Sequence, residues 1–344
     1  MSSDARTGGS EVGPAEIATG VDAVHGLGLY RRMQLIRRFE ERVYLVYLQG
    51  EIPGTLHQYQ GQEAVAVGVC DALRRTDWIT STHRPHGHAL AKGVDLRAAM
   101  AELFGRATGC CGGKGGSMHL GDPSVGMLPA IAIVGGGNTV VTGLGLAFKL
   151  RRTDQVAVCF FGEGASNEGA FHEGLNFAAV QHLPIVFACE NNLYGASTPF
   201  HQTSLVPDVA ARAAAYGVRG EIVDGMDVLA VREAAGRAVA EARSGAGPVL
   251  LELKTYRFAG HSRGDARGYR SREEEAEWRE RDPIARLRAC LAPVLGEGIL
   301  DETDAQVETA LDDAVEFARQ SPLPRAEDAL TGAYATVIGG EPGS

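Results

Sequence analysis

The chain has 344 residues, is 44% hydrophobic and 22% charged, and carries a formal net charge of −10 at pH 7. That composition is ordinary for a globular protein, and its acidic excess argues against a general nucleic-acid binder. No apolar run approaches the roughly 20 residues of a membrane span. Residues 1–20 are small and polar and resemble neither a secretory signal nor an Arg-rich transit peptide. They are expected to form a disordered tail before one α/β domain over 21–330, with a short tail over 331–344. The six cysteines, at 70, 110, 111, 159, 189 and 290, include no C-x-x-C pair, which suits a reduced, cytoplasmic setting.

In chain order, apolar residues recur at helical spacing over 27–48, and Gly50 ends that helix. Residues 51–60 read as a loop carrying His57. A helix over 62–73 and a short strand over 77–82 lead into a histidine-rich loop, His83-Arg84-Pro85-His86-Gly87-His88. Asp95 caps a helix that runs to about Phe104. Residues 105–126 are Gly-rich and irregular, a pattern that marks a functional or mobile segment. Residues 131–150 pass through Gly135-Gly136-Gly137 into a helix.

Residues 156–161 are short, apolar and rich in strand formers, so they read as a buried strand. A helical pattern over 166–182 places Phe171, Leu175, Ala178 and Ala179 on one face. Leu183-Pro184 stops it before a second buried strand over 185–189. This is a βαβ unit, which requires parallel strands and a right-handed crossover. A polar loop over 195–207, a short helix and a strand follow. Asp227 caps a helix to Arg243, and 249–253 is a further strand. The charged stretch 267–281 reads as loop plus exposed helix. Asp282-Pro283 opens another helix, and the last spans 303–320. The fold class is therefore α/β, a doubly wound, mostly parallel sheet flanked by helices.

The βαβ unit sets Gly162-Glu163-Gly164 and Asn191-Asn192 at one carboxyl-terminal sheet edge, where ligands of open α/β sheets sit. A hard cation such as Mg²⁺ takes oxygen ligands and keeps phosphate oxygens in its shell. Glu163 offers a carboxylate and Asn192 an amide oxygen. The amides of Ala165 to Asn167, opening the helix, suit phosphate, and the glycines let backbone approach a ligand closely. Other polar clusters are His57 with Gln58, the run 83–88, and His261-Ser262-Arg263. A zinc site in 83–88 lacks a complete tetrahedral set in the sequence.

These segments resemble the alpha subunit of the thiamine-diphosphate-dependent first component of 2-oxoacid dehydrogenase complexes, most of all its pyruvate and acetoin branches. The matching runs include Arg37-Arg38-Phe39-Glu40-Glu41, Gly61-Gln62-Glu63-Ala64, Thr82 to His88 and Gly113 to His119. They continue through Phe161 to Gly169, Glu190 to Gly195, Val223-Asp224-Gly225, Thr255-Tyr256-Arg257 and Gly260-His261-Ser262. The resemblance implies the thiamine-diphosphate-binding fold. It implies Mg²⁺ ligation by the side chains of Glu163 and Asn192 and the carbonyl of Tyr194. Arg84 would hold the diphosphate with His83 beside it, and Gly164 and Ala165 would add backbone contacts. Ala132 and Val134 would meet the aminopyrimidine through backbone atoms. His57 and His261 would face the thiazolium and the reacting carbonyl. It further implies a beta subunit that supplies the catalytic glutamate, an α₂β₂ assembly and a lipoyl acyltransferase partner. The substrate would be pyruvate, a related 2-oxoacid or acetoin. The segment 128–142 departs from the family pattern: Ala132 replaces a glycine, and Asn138 and Thr139 are polar. An altered pocket there would suit a different two-subunit enzyme, a biosynthetic acyl transferase or carboligase.

Overall fold

The computed structural model describes residues 22–331; the expected tails, apart from Thr331, lie outside them. The strands are β1 (Trp78–Thr80), β2 (Ala157–Gly162), β3 (Ile185–Asn191), β4 (Tyr194–Gly195), β5 (Thr198–Pro199), β6 (Arg219–Asp224) and β7 (Val249–Lys254). Five of them make one parallel sheet in the order β1-β2-β3-β7-β6, while β4 and β5 form a small antiparallel hairpin. The helices are α1 (Ala23–Leu48), α2 (Glu63–Asp71), α3 (His86–Lys92), α4 (Leu96–Leu103) and α5 (Gly136–Arg151). They continue with α6 (Gly169–Val180), α7 (Val228–Arg243), α8 (Arg272–Glu280), α9 (Pro283–Leu295) and α10 (Glu297–Gln320).

β2 and β3 are apolar without alternation because both faces of the sheet are covered. Val158, Phe160, Val186 and Ala188 join a core with α1, α2 and α7. Their alternates Ala157, Cys159, Phe161, Ile185, Phe187 and Cys189 pack against Val141 and Phe148 of α5 and Phe171 and Leu175 of α6. The α6 crossover therefore covers one face and the α7 crossover the other. From β3 the chain passes to the outer strand β6 and returns to β7, so the winding reverses between β3 and β7. Crevices at such a reversal receive ligands at the carboxyl ends of the strands. Glu163 follows β2, Asn192 follows β3, and Arg257 lies just beyond β7.

Three expectations need correction. His86 and His88 stand in helix α3, not a loop, because the helix formers Ala89, Leu90, Ala91 and Lys92 outweigh Gly87, and the helix ends at Gly93 in the left-handed region (φ 101°). The helix expected from residue 166 begins at Gly169. A 3₁₀ turn, Glu163–Asn167, comes first, and an extended Glu168 (φ −79°, ψ 144°) separates the two. The last helix starts six residues early, at Glu297 rather than 303. The caps at Asp95 and Asp227 form as expected: Asp95 accepts from Ala98 N–H, and Asp227 from Leu229 and Ala230 N–H. No helix among the described residues is long and apolar enough to cross a membrane.

Candidate active site

Loops at the carboxyl edge enclose a cavity of about 550 Å³ whose lining includes His57, Arg84, Glu163, Asn192, Arg257 and His261. Helix α1 fixes the first loop. Arg37 grips Glu63 through two hydrogen bonds (2.6 and 3.0 Å), and Glu63 accepts the Gly61 N–H. The buried Glu40 accepts the Tyr59 N–H at 2.9 Å and contacts His86 Nδ1 at 3.0 Å. The His261 loop is laced to the same segment, since Phe258 N–H donates to Gln60 O (2.9 Å) and Arg263 N–H to Leu56 O (3.1 Å). That lacing brings His57 and His261 together across about 200 residues of chain.

Glu163 is almost fully buried, at 1% exposure. Its carboxylate accepts the Asn192 N–H at 3.0 Å and, among the described residues, makes no ion pair. Burial raises its pKa above the usual glutamate range, against the lowering effect of that N–H. A buried carboxylate with no cation in direct contact, only the Arg257 charge nearby, fits a divalent ion. Asn192 Nδ2 donates to Gln62 Oε1 at 3.2 Å. Asn192 Oδ1 accepts from Arg257 Nε (3.1 Å), and the Tyr194 carbonyl accepts from Arg257 Nη2 (3.4 Å). Two oxygens that the resemblance gives to a metal thus converge on one guanidinium. The turn that aims them is strained: Leu193 and Ala196 have φ of 74° and 53°, unusual for side-chain-bearing residues.

Arg84 is buried, and among the described residues its guanidinium donates only to neutral carbonyls, those of Gln58 and of His261 (2.9 Å). Burial, then the nearby Arg257, push its pKa down to about 9. A guanidinium so placed lacks an anion, which a diphosphate would provide. Gly162 faces open space, and a Cβ on Gly164 would lie 3.2 Å from Gly195 Cα. Ala165 is buried in the 3₁₀ turn, so the amides of 165–167 are not the start of an α-helix.

His57, His83 and His261 cluster, with ring centres 4.9 and 5.2 Å from His57 to the others and 5.2 Å between those two. Burial, with Arg84 adding repulsion, holds their pKa values at about 4, about 2 and about 4. All three are neutral at pH 7. His86 and His88 are absent from this group. Both are fully buried, and each contacts a carboxylate: His86 that of Glu40 (3.0 Å), His88 that of Glu190 (3.1 Å). They are framework.

Ala132 and Val134 line the cavity. Ala132 does not have a positive φ, so its replacement of glycine carries no backbone strain. Asn138 turns away from the cavity. Its Nδ2 donates to Gly135 O at 3.2 Å, and its Oδ1 accepts from Cys159 Sγ at 3.5 Å. Thr139 is exposed on the outer surface of α5. Neither residue lines the cavity. Sequence reasoning missed Arg257, Gln62 and Glu190 as lining residues, although each stood inside a matching run. Arg270 was also missed. Its guanidinium sits over Tyr194, Tyr256 and Tyr269 at 5.1, 4.7 and 5.3 Å and donates to Arg257 O at 2.8 Å, which anchors the segment behind the site.

The sequence profile of the dehydrogenase E1 component matches residues 31–327. The chain belongs to the dehydrogenase E1 component family. This E1 component chain is 49% identical over 309 residues to the alpha subunit of acetoin:2,6-dichlorophenolindophenol oxidoreductase of Bacillus subtilis, covering 90% of this chain and 93% of that one. The protein of the same name from Cupriavidus necator is 45% identical, with the same coverage. The chloroplastic pyruvate dehydrogenase E1 component subunit alpha-3 of Arabidopsis thaliana is 43% identical over 90% of this E1 chain and 74% of its own length.

Proposed function

We propose that this chain is the alpha subunit of a thiamine-diphosphate-dependent oxidoreductase that cleaves acetoin or oxidatively decarboxylates pyruvate. In this reading the two-carbon fragment passes to a lipoyl group on an acyltransferase partner. The observation that carries the proposal is the convergence, in one cavity, of a buried carboxylate and a buried guanidinium, neither ion-paired among the described residues, and three neutral imidazoles. The relatives named for acetoin are 49% and 45% identical, against 43% for the plant pyruvate dehydrogenase subunit, which puts acetoin first.

When bound, thiamine diphosphate with Mg²⁺ supplies a nucleophilic carbon and an electron sink. Glu163, Asn192 and the Tyr194 carbonyl would hold the ion. Arg84 would hold the diphosphate beside His83, with backbone contacts from Gly164 and Ala165. Ala132 and Val134 would contact the aminopyrimidine through their backbone. His57 and His261, neutral at pH 7, can each donate or accept one hydrogen bond at the reacting carbonyl and move a proton there. Phe160 and Phe161 of β2 give the inner side of the cavity an apolar lining. The rim residues Ile133 and Val134 are 76% and 54% exposed, as suits a wall completed by a beta subunit in an α₂β₂ assembly. A cytoplasmic setting suits the six free cysteines.

The test is dye reduction by the chain together with its beta subunit, given thiamine diphosphate and Mg²⁺, with acetoin, pyruvate and branched 2-oxoacids compared. Turnover highest with acetoin supports the reading as stated. Cofactor binding without turnover on any of them would replace it by the biosynthetic acyl transferase or carboligase. That alternative drew on segment 128–142, whose polar residues lie outside the cavity.

A further inference from the structure

In the sequence His83 stands with His86 and His88, and that run has no complete set of metal ligands. The fold separates them. His86 and His88 are committed to Glu40 and Glu190, while His83 gains two new neighbours, His57 and His261. One ring nitrogen from each of the three lies within 4.8 Å of the others. His57 Nδ1 and His83 Nε2 are buried and, among the described residues, have no hydrogen-bond partner. A buried polar atom without a partner costs about 1–3 kcal/mol unless something satisfies it.

Three imidazoles on one tetrahedral zinc, with Zn–N of about 2.0–2.1 Å, set their ring centres about 5 Å apart. The observed spacings are 4.9, 5.2 and 5.2 Å. Closing the nitrogens to the roughly 3.4 Å of such a site needs less than about 1 Å of movement per ring, within reach of side-chain rotation. We propose that His57, His83 and His261 form a three-imidazole site for a divalent transition metal of the zinc class. The fourth position opens to the cavity. Arg84 and Arg257, which line the same cavity, oppose a bare dication, so that position takes an anion such as chloride or hydroxide. Mg²⁺ does not compete, because it requires oxygen ligands. Zinc bound there holds the imidazoles that face the cavity and so inhibits the assembled enzyme. Metal binding stands on the three side chains alone; the inhibition rests on the proposed function.

The experiment uses the full-length chain, stripped of metal and without cofactor, titrated with Co²⁺ in excess Mg²⁺ and then with Zn²⁺. The expected result is one Co²⁺ per chain with the intense visible bands of tetrahedral nitrogen ligation, displaced by Zn²⁺. H57Q, H83Q and H261Q should each weaken binding by at least the roughly 10–100-fold that losing even an outer-shell partner costs. The other cluster of potential ligands among the described residues is Glu102, Cys110 and Cys111. The double variant C110S/C111S should therefore bind Co²⁺ as wild type does. A sulfur-to-cobalt charge-transfer band, displacement by Mg²⁺, affinity unchanged in all three histidine variants, or no stoichiometric Co²⁺ binding would each overturn the proposal. Circular dichroism checks the variants. Should they unfold, the wild-type spectrum decides by its nitrogen or sulfur signature.

Discussion

Glu163→Gln should move stability and cofactor affinity in opposite directions. The carboxylate is 1% exposed and accepts one backbone N–H, from Asn192 at 3.0 Å. The effective penalty for burying an ion is several kcal/mol, and one hydrogen bond to a charged group returns about 1.5–3 kcal/mol. A net cost of about 1–3 kcal/mol is left in the cofactor-free chain at pH 7. Glutamine keeps the shape and can still accept the Asn192 N–H, so it removes the charge and little else. The cofactor-free variant should melt higher than wild type by roughly 2–8 °C. Because burial raises the Glu163 pKa, the wild-type penalty is complete above the raised value. It is relieved as pH falls toward the ordinary glutamate value of 4.5, so the difference between the two proteins should shrink in acid. With Mg²⁺ and thiamine diphosphate the order reverses. Wild type should gain about 2.7 kcal/mol at a hundredfold excess over Kd, and the variant almost nothing. Differential scanning fluorimetry with and without both ligands reads the two effects. A variant that gains as much as wild type would refute the metal assignment. One that melts lower without ligands would refute the claim that this carboxylate is buried at a cost.

Arg84→Gln removes a guanidinium whose partners are carbonyls, so affinity for thiamine diphosphate should fall by about 100-fold while the cofactor-free chain still folds. Calorimetric titration checks this, and unchanged affinity would exclude Arg84 as the anion holder. Glu102 is buried and its carboxylate accepts four backbone N–H groups, from Cys111 (2.8 Å), Gly113 (2.9 Å), Gly115 (2.7 Å) and Gly116 (3.1 Å). Glu102→Gln turns an NH₂ toward two of those donors and should cost about 2–4 kcal/mol in urea unfolding; a loss near zero would show that the Gly-rich loop does not depend on this carboxylate. The histidine cluster binds protons less readily folded than unfolded, with pKa values of about 4, about 2 and about 4 against an ordinary 6.5. Stability of the cofactor-free chain should therefore fall as pH drops from 6.5 toward 4. His83→Gln should flatten that slope in melts across the range, and parallel slopes in the two proteins would count against buried neutral imidazoles. Tyr194 and Tyr256 hydroxyls both donate to Glu274 of α8 (2.8 and 2.7 Å). Glu274→Ala should speed tryptic cleavage within 267–281, and an unchanged cleavage rate would mean that this clasp does not hold α8.

The elements that carry the site were legible because their signals are local. Apolar runs before Gly162 and Asn191 announce buried strands, Leu183-Pro184 ends the helix between them, and Asp95 and Asp227 are caps whose bonds reach only three residues. Parallel pairing of β2 with β3 then puts Glu163 and Asn192 at one edge, since a short helical crossover permits nothing else. The same local reading failed at α3, where His and Gly drew attention from the helix-forming Ala89, Leu90 and Ala91. It also failed at residues 163–168, where the turn that precedes α6 is settled by Ser166 Oγ donating to the Glu163 carbonyl (2.6 Å).

What the sequence determined by itself was the doubly wound sheet, the edge on which the ligand groups stand and the family that shares them. Only the tertiary structure showed that His83 joins the expected pair His57 and His261 while His86 and His88 do not. His83 and His86 are three residues apart, yet one faces the cavity and the other is locked to Glu40. His57 and His261 are distant in sequence and lie 5.2 Å apart between ring centres. The structure alone also gave Arg257 its place on the oxygens of Asn192 and Tyr194. Spacing along a chain fixes direction only within one helix or strand. Across loops, direction follows from burial and from hydrogen bonds to distant carbonyls, and those partners are chosen when the whole chain packs.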